Sequence, residues 1–228
     1  MTIRAVLFDI GGPIATEIEY EQAIDRDIIT LFSDVGVTVT SERYVTSWRR
    51  AVDSFAPDAY HAVVADLAHH HDDLTAQIIR QVRARSHERG LFELRPGVAE
   101  LLEELHARGL KLGLAANQPA EVIGRMEAAG IAKYFASQAV SGTLGFHKPD
   151  PRLFLHACEA LGVEPAECIM VGDRIDCDIA PANALGMRTV CLRTGRHASQ
   201  EPRTEAERPD AEVTEVAAMR EAILRLLG

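Results

Sequence analysis

The chain has 228 residues, with 24 Lys plus Arg against 34 Asp plus Glu and a formal charge of −10. That length gives one large domain or one domain carrying an insertion, and 47% hydrophobic with 25% charged residues supports a full core and excludes a disordered chain. The acidic balance argues against a nucleic-acid scaffold, which needs a basic face, yet one local cation suffices to hold a small anionic substrate.

The opening segment, MTIRAVLFDI, reads as a first strand and not as a signal peptide. Val6-Leu7-Phe8 is a short apolar run that stops at Asp9 and is followed by Gly11-Gly12-Pro13, the pattern of a strand buried on both faces of a parallel sheet. From about Thr16 to Glu93 the spacing becomes helical. Tyr44, Trp48 and Val52 make one face, Tyr60, Val63, Val64 and Leu67 a second, and Leu74, Ile78, Ile79 and Val82 a third.

After Arg95-Pro96-Gly97 the chain alternates strands with helices. Pro96 suits a first helical turn; Val98, Leu101, Leu102 and Leu105 form the buried stripe, and Gly109 ends it. Leu110, Leu112 and Leu114 alternate as a strand up to Asn117. A helix from Pro119 to Gly130, a short strand over 135–140 and a helix from Pro151 to Gly162 follow. Ile169-Met170-Val171 is a buried strand that stops at Gly172-Asp173. A helix then runs to about Gly186, a strand covers 189–192, and Thr194 to Pro209 reads as a polar surface loop. The last helix buries Val216, Met219, Ile223 and Leu226.

This order predicts an α/β fold: a Rossmann-like parallel sheet with helices on both faces and an inserted all-helical cap. The core takes residues 1–15 and 94–228, and the cap takes 16–93. Because the insertion leaves and rejoins at the first strand's carboxyl edge, it is expected over the edge where open α/β sheets bind ligands. No apolar run approaches the roughly 20 residues of a membrane span. Cys158, Cys168, Cys177 and Cys191 form no CxxC pair, which suits a reduced cytoplasmic protein. The expectation for partners is a monomer or homodimer with no nucleic acid and no membrane.

Polar groups stand at three strand ends: Asp9, Asn117 and Asp173, the last followed by Asp176 and Asp178. Carboxylates brought to one crevice repel unless a cation or proton compensates. An all-oxygen set favours a hard cation such as Mg²⁺. Lys148, in Phe146-His147-Lys148-Pro149-Asp150, can add positive charge, and a carboxylate beside a metal and a lysine can attack phosphorus. Each piece has a plainer reading. An Asp after a strand is often a helix N-cap, and a Lys before Pro is usually solvated. His69-His70-His71 with Asp72-Asp73 is a weak metal candidate on a linker, and Trp48-Arg49-Arg50 reads as a core Trp beside two solvated arginines. The Gly11-Gly12 pair lacks the spacing of a dinucleotide fingerprint.

Phe8-Asp9-Ile10-Gly11-Gly12-Pro13-Ile14, Ala116-Asn117, Lys148-Pro149 and the run Gly172 to Asp178 resemble, in order, the four motifs of the haloacid dehalogenase-like hydrolase superfamily, in its helical-cap group. The resemblance implies a Mg²⁺-dependent hydrolase, a small-molecule phosphatase in which Asp9 forms an aspartyl-phosphate and Lys148 orients it and neutralises phosphate. It assigns metal binding to Asp9, the Gly11 carbonyl, Asp173 and Asp178, and phosphate binding to Gly12, Ala116, Asn117 and Lys148. The implied partner is a small phosphorylated metabolite.

Two positions depart from the pattern. Gly11 stands where phosphatases of the superfamily usually carry a second Asp as general acid and base, and Ala116 where a Ser or Thr usually meets phosphate. The first loss removes proton transfer, worth about 10²–10⁴-fold; the second removes a hydrogen bond to a charged group, about 1.5–3 kcal/mol. Two alternatives therefore stay open: a 2-haloacid dehalogenase, whose halide leaves unprotonated, and a catalytically weak binding or regulatory member of the fold.

Overall fold

The computed structural model describes residues 2–228. The chain divides into two compact units, Met1–Thr16 with Phe92–Gly228, and Glu17–Leu91.

The first unit is built on a six-stranded sheet, every neighbouring pair of which is parallel. In chain order it begins with β1 (Ala5–Phe8) and a two-residue strand β2 (Ala15–Thr16). The helical insertion leaves here as α1 (Ile18–Asp34), α2 (Ser41–Asp53), α3 (Ala59–Leu67) and α4 (Asp72–Arg89). The first unit then resumes with β3 (Glu93–Leu94), α5 (Val98–Ala107), β4 (Lys111–Ala116) and α6 (Val122–Ala128). Next come β5 (Phe135–Val140), α7 (Ser141–Leu144), α8 (Pro151–Leu161) and β6 (Cys168–Gly172). It closes with α9 (Ala180–Ala184), β7 (Arg188–Leu192), β8 (Ala211–Val213) and α10 (Val216–Leu227). The sheet order is β5-β4-β1-β6-β7-β8.

β1 is central and hydrogen-bonded on both sides, which explains its unbroken apolar run. Successive side chains alternate between faces. Val6 and Phe8 join the core formed with α5, α6 and α10, whereas Ala5 and Leu7 join the core formed with α8. Local signals set the helix ends. The Asp150 carboxylate accepts from the Arg152 N–H at 2.9 Å ahead of Pro151, and Gly162 closes α8 in the left-handed region at φ 63°.

Four short elements differ from the sequence reading. β2 and β3 pair antiparallel at the two ends of the insertion, Ala15 with Leu94 and Thr16 with Glu93. β8 adds a sixth strand just after the polar loop, pairing Val190 with Ala211. The expected helix beyond Asp173 starts as a π-helical turn, Ile175–Ile179, before α9.

The helical unit has its own core, with Ile28, Phe32, Val63, Val64, Leu67 and Ile78 almost fully buried. Trp48 is 7% exposed and packs edge-on against Tyr44 and Tyr60, while Arg50 pairs with Asp66. Trp48 is thus a core residue. Within the same unit, α1 and α4 are joined by buried Asp27, which accepts from Arg89 at 2.5 and 2.7 Å and from Arg85 at 3.2 Å. Among the described residues no helix is long and apolar enough to cross a membrane.

Candidate active site

Parallel pairing brings the strand-end residues together. Phe8 lies opposite Val171, and the Asp9 N–H donates to the Val171 carbonyl at 2.8 Å, so Asp9 and Gly172-Asp173 leave the sheet at one edge. β4 flanks β1 on the other side, with Phe8 opposite Leu114, and ends at Ala116.

Asp9, Asp173 and Asp178 each offer a carboxylate oxygen within 4.8 Å of the others. Lys148 joins them, its Nζ 2.5 Å from Asp178 Oδ1 and 2.9 Å from Asp9 Oδ1. Lys148 and Asp178 are almost wholly buried, at 2% and 0% side-chain exposure, and Asp9 is 14% exposed. Asp178 Oδ2 accepts from the main-chain N–H groups of Asp173 and Arg174, at 3.1 and 3.0 Å. Asp178 therefore anchors both the lysine and the loop that carries Asp173. The π-helical turn places it there, a local irregularity common at functional sites.

Two glycines make these approaches possible. A Cβ on Gly172 would overlap Cβ and Cγ of Asp178, and one on Gly12 would lie 2.9 Å from the same atoms of Asp173. Gly12 also has φ +79°, a conformation that L side chains rarely adopt.

The electrostatics follow from burial. Asp9 is pushed up to about 6, first by burial and then by the Asp178 charge, against the opposing pull of Lys148. Burial works against the charge on Lys148, but Asp178 and Asp9 hold it protonated, above its ordinary value. Three ionised carboxylates against one ammonium leave two negative charges uncompensated. An all-oxygen set with that excess suits a divalent hard cation.

The remaining residues expected at the site take varied places. Gly11 and Gly12 are buried in the turn after Asp9, and Ala116 is buried at the end of β4. The Asn117 side chain is spent on the Lys148 main chain: Oδ1 accepts from the Lys148 N–H at 2.7 Å, and Nδ2 donates to the Lys148 carbonyl at 3.0 Å. It holds the segment of the cis Lys148–Pro149 bond in place. Asp176 lies outside the carboxylate group and makes a two-point pair with Arg174, at 2.6 and 3.1 Å. His69 sits beside the Arg43 guanidinium at 3.0 Å, and the only group of metal-ligating side chains among the described residues is Asp9, Asp173 and Asp178.

Arg95 escaped the sequence reading. Its Nε donates to the Gly12 carbonyl at 2.5 Å and its N–H to the Ile14 carbonyl at 2.8 Å, fastening the turn after Asp9 to the chain returning from the insertion. The one available signal was a charged residue directly before Pro96-Gly97.

Comparison with known proteins identifies relatives and the shared fold. The haloacid dehalogenase-like hydrolase family model matches residues 3–186. The glyceraldehyde 3-phosphate phosphatase of Methanopyrus kandleri is 29% identical over 220 residues, 92% of this chain and 93% of that one. The phosphoglycolate phosphatase of Escherichia coli is 31% identical over 216 residues, 85% of this chain and 82% of that one. The crystal structure of a predicted phosphoglycolate phosphatase from Haemophilus somnus superposes with a TM-score of 0.74 at 24% identity, over 100% of this chain and 99% of that one, and shows the shared fold. With the family model matching residues 3–186 and a relative 31% identical over 85% of this chain, the chain belongs to the haloacid dehalogenase-like hydrolases.

Proposed function

We propose that this protein is a Mg²⁺-dependent phosphatase of small phosphate monoesters that works through an aspartyl-phosphate on Asp9. The observation that carries the reading is the Asp9–Lys148–Asp178 constellation with Asp173 beside it. Asp9, Asp173 and the Gly11 carbonyl would hold the ion, with Asp178 bound directly or through water. Bound there, Mg²⁺ supplies charge neutralisation for the phosphate and the carboxylates.

The chain's own groups account for the chemistry. Near neutral pH Asp9 is mostly ionised and can act as a nucleophile. Lys148, pinned by Asp178 and Asn117, fixes one Asp9 oxygen and brings a positive charge toward the phosphate. A new bond forms from Asp9 oxygen to phosphorus as the bond to the leaving oxygen breaks. Water then attacks phosphorus and frees Asp9 and inorganic phosphate. The backbone around Gly12 and Ala116-Asn117 lines the phosphate position. Gly11 offers no proton, so a good leaving group departs unaided and an alkoxide leaves more slowly, by up to about 10²–10⁴-fold.

The relatives' names put phosphoglycolate and glyceraldehyde 3-phosphate first among natural esters to test. A cluster of three carboxylates, two of them paired with Lys148, fits poorly with a dehalogenase that needs no metal. The test is a panel of p-nitrophenyl phosphate, phosphoglycolate, glyceraldehyde 3-phosphate and a 2-chloroacid, each with Mg²⁺ and then with EDTA. Phosphate release that EDTA abolishes supports the reading. Halide release that survives EDTA assigns the dehalogenase reaction instead, and no release from any compound assigns the binding role.

A further inference from the structure

We propose that Cys158 and Cys168 are an oxidisable pair, which a peroxide converts into an intramolecular disulfide. Their sulfurs lie 3.6 Å apart, both residues are buried, and both are free thiols. A disulfide needs about 2.05 Å between the sulfurs, so closing the bond takes a movement of only about 1.5 Å.

The pairing comes from packing. α8 buries Leu153, Phe154, Ala157, Cys158 and Leu161, and Cys168, the first residue of β6, belongs to the same core cluster. The Cys168 thiol has two acceptors in reach, the Glu164 carbonyl at 3.5 Å and Cys158 Sγ at 3.6 Å. The hydrogen bond between the two sulfurs holds the Cys158 thiol below its ordinary value and the Cys168 thiol above it, which makes Cys158 the attacking sulfur. Cys158 also lines a groove of about 700 Å³ with Arg4, Leu155, Glu159 and Glu164, which gives a small oxidant an approach. By contrast, burial pushes Cys177 and Cys191 each up to about 12.

The steps balance as follows. Cys158 sulfur attacks one peroxide oxygen, the O–O bond breaks, and Cys158 becomes a sulfenic acid as one water leaves with the thiol proton. Cys168 sulfur then attacks Cys158 sulfur, the S–O bond breaks, and a second water carries off the Cys168 proton. The pair loses two electrons and two protons, and the peroxide is reduced to two waters. Asp173 stands five positions beyond Cys168, about 16 Å along an extended chain, so the bridge forms away from the carboxylate group.

The experiment treats the full-length native protein with hydrogen peroxide. Free thiols are counted, peptides are mapped by mass spectrometry, and the urea midpoint is measured before and after. The expected result is a fall from four thiols to two, a Cys158–Cys168 cross-linked peptide lighter by two hydrogens, and a raised midpoint that a dithiol reductant reverses. In Cys168→Ala the reaction stops at a sulfenic acid on Cys158 that dimedone traps. Four thiols surviving peroxide in the native protein, a cross-link between other cysteines, or sulfinic acid in place of the bridge would each overturn the proposal. The wild-type peptide map decides the question even if a variant fails to fold.

Discussion

Asp9 should cost the protein stability. Its carboxyl is raised from the ordinary 3.8 to about 6, so the folded state binds that proton more tightly than the unfolded state. Stability linked to this group is fully present below about pH 4 and is lost as pH rises through about 6. At about 1.4 kcal/mol for each pH unit between the two values, the ionised carboxylate costs up to about 3 kcal/mol in the absence of a cation. Asn copies the neutral acid in shape and still offers an oxygen to Lys148. Asp9→Asn should therefore be more stable than wild type by about 1–3 kcal/mol in EDTA at about pH 7.5, with the gap closing near pH 4. Urea unfolding followed by circular dichroism measures this. Excess Mg²⁺ should narrow the gap, because a cation held by the folded wild type stabilises it by mass action. An Asp9→Asn protein equal to or weaker than wild type in EDTA at neutral pH would refute the reasoning. It would mean that Lys148 compensates the carboxylate fully.

Three further perturbations test other parts of the account. Asp173→Ala should weaken Mg²⁺ binding about 10–100-fold or more in titration calorimetry and lower phosphatase turnover in step; unchanged affinity would move the ion away from Asp173. Gly11→Asp should raise turnover of alkyl phosphates over aryl phosphates by at most about 10²–10⁴-fold, and an unchanged ratio in a folded variant would locate the proton donor elsewhere. In the helical unit, Asp27→Asn should lower stability by about 1–3 kcal/mol at neutral pH. Burial alone would raise Asp27, but Arg89 and Arg85 outweigh it and hold the carboxyl below its ordinary value. Its contribution is therefore present above about pH 4 and lost as pH falls further, so wild type and variant should converge in acid.

The sheet was legible because its inner strands are buried on both faces and carry continuous apolar runs that stop at Asp9 and Asp173. Pro151, Gly109 and Gly162 marked helix ends through dihedral preferences that do not depend on tertiary context, whereas Pro96, expected in a first helical turn, stands outside α5, whose N-cap is Gly97. β2, β3 and β8 were not legible, since two or three residues are too few to show a period. The carboxylate group was only partly readable. Asp173, Asp176 and Asp178 look alike in sequence, and the π-helical turn with the Arg174 pair separates Asp176 from the other two. Asn117 stood at the expected strand end, but its hold on Lys148 depends on a neighbour 31 residues away. The Cys158–Cys168 contact was hidden for the same reason, because it is set by how α8 packs on the sheet and not by spacing.

The central claim is that Asp9 becomes phosphorylated. The most direct measurement is acid quenching of the protein during turnover of a radiolabelled aryl phosphate, followed by peptide mapping. The account predicts label on the peptide containing Asp9, labile at alkaline pH, dependent on Mg²⁺ and absent from Asp9→Asn, which should not turn over. Wild-type turnover by Asp9→Asn, with no label on that peptide in either protein, would contradict it.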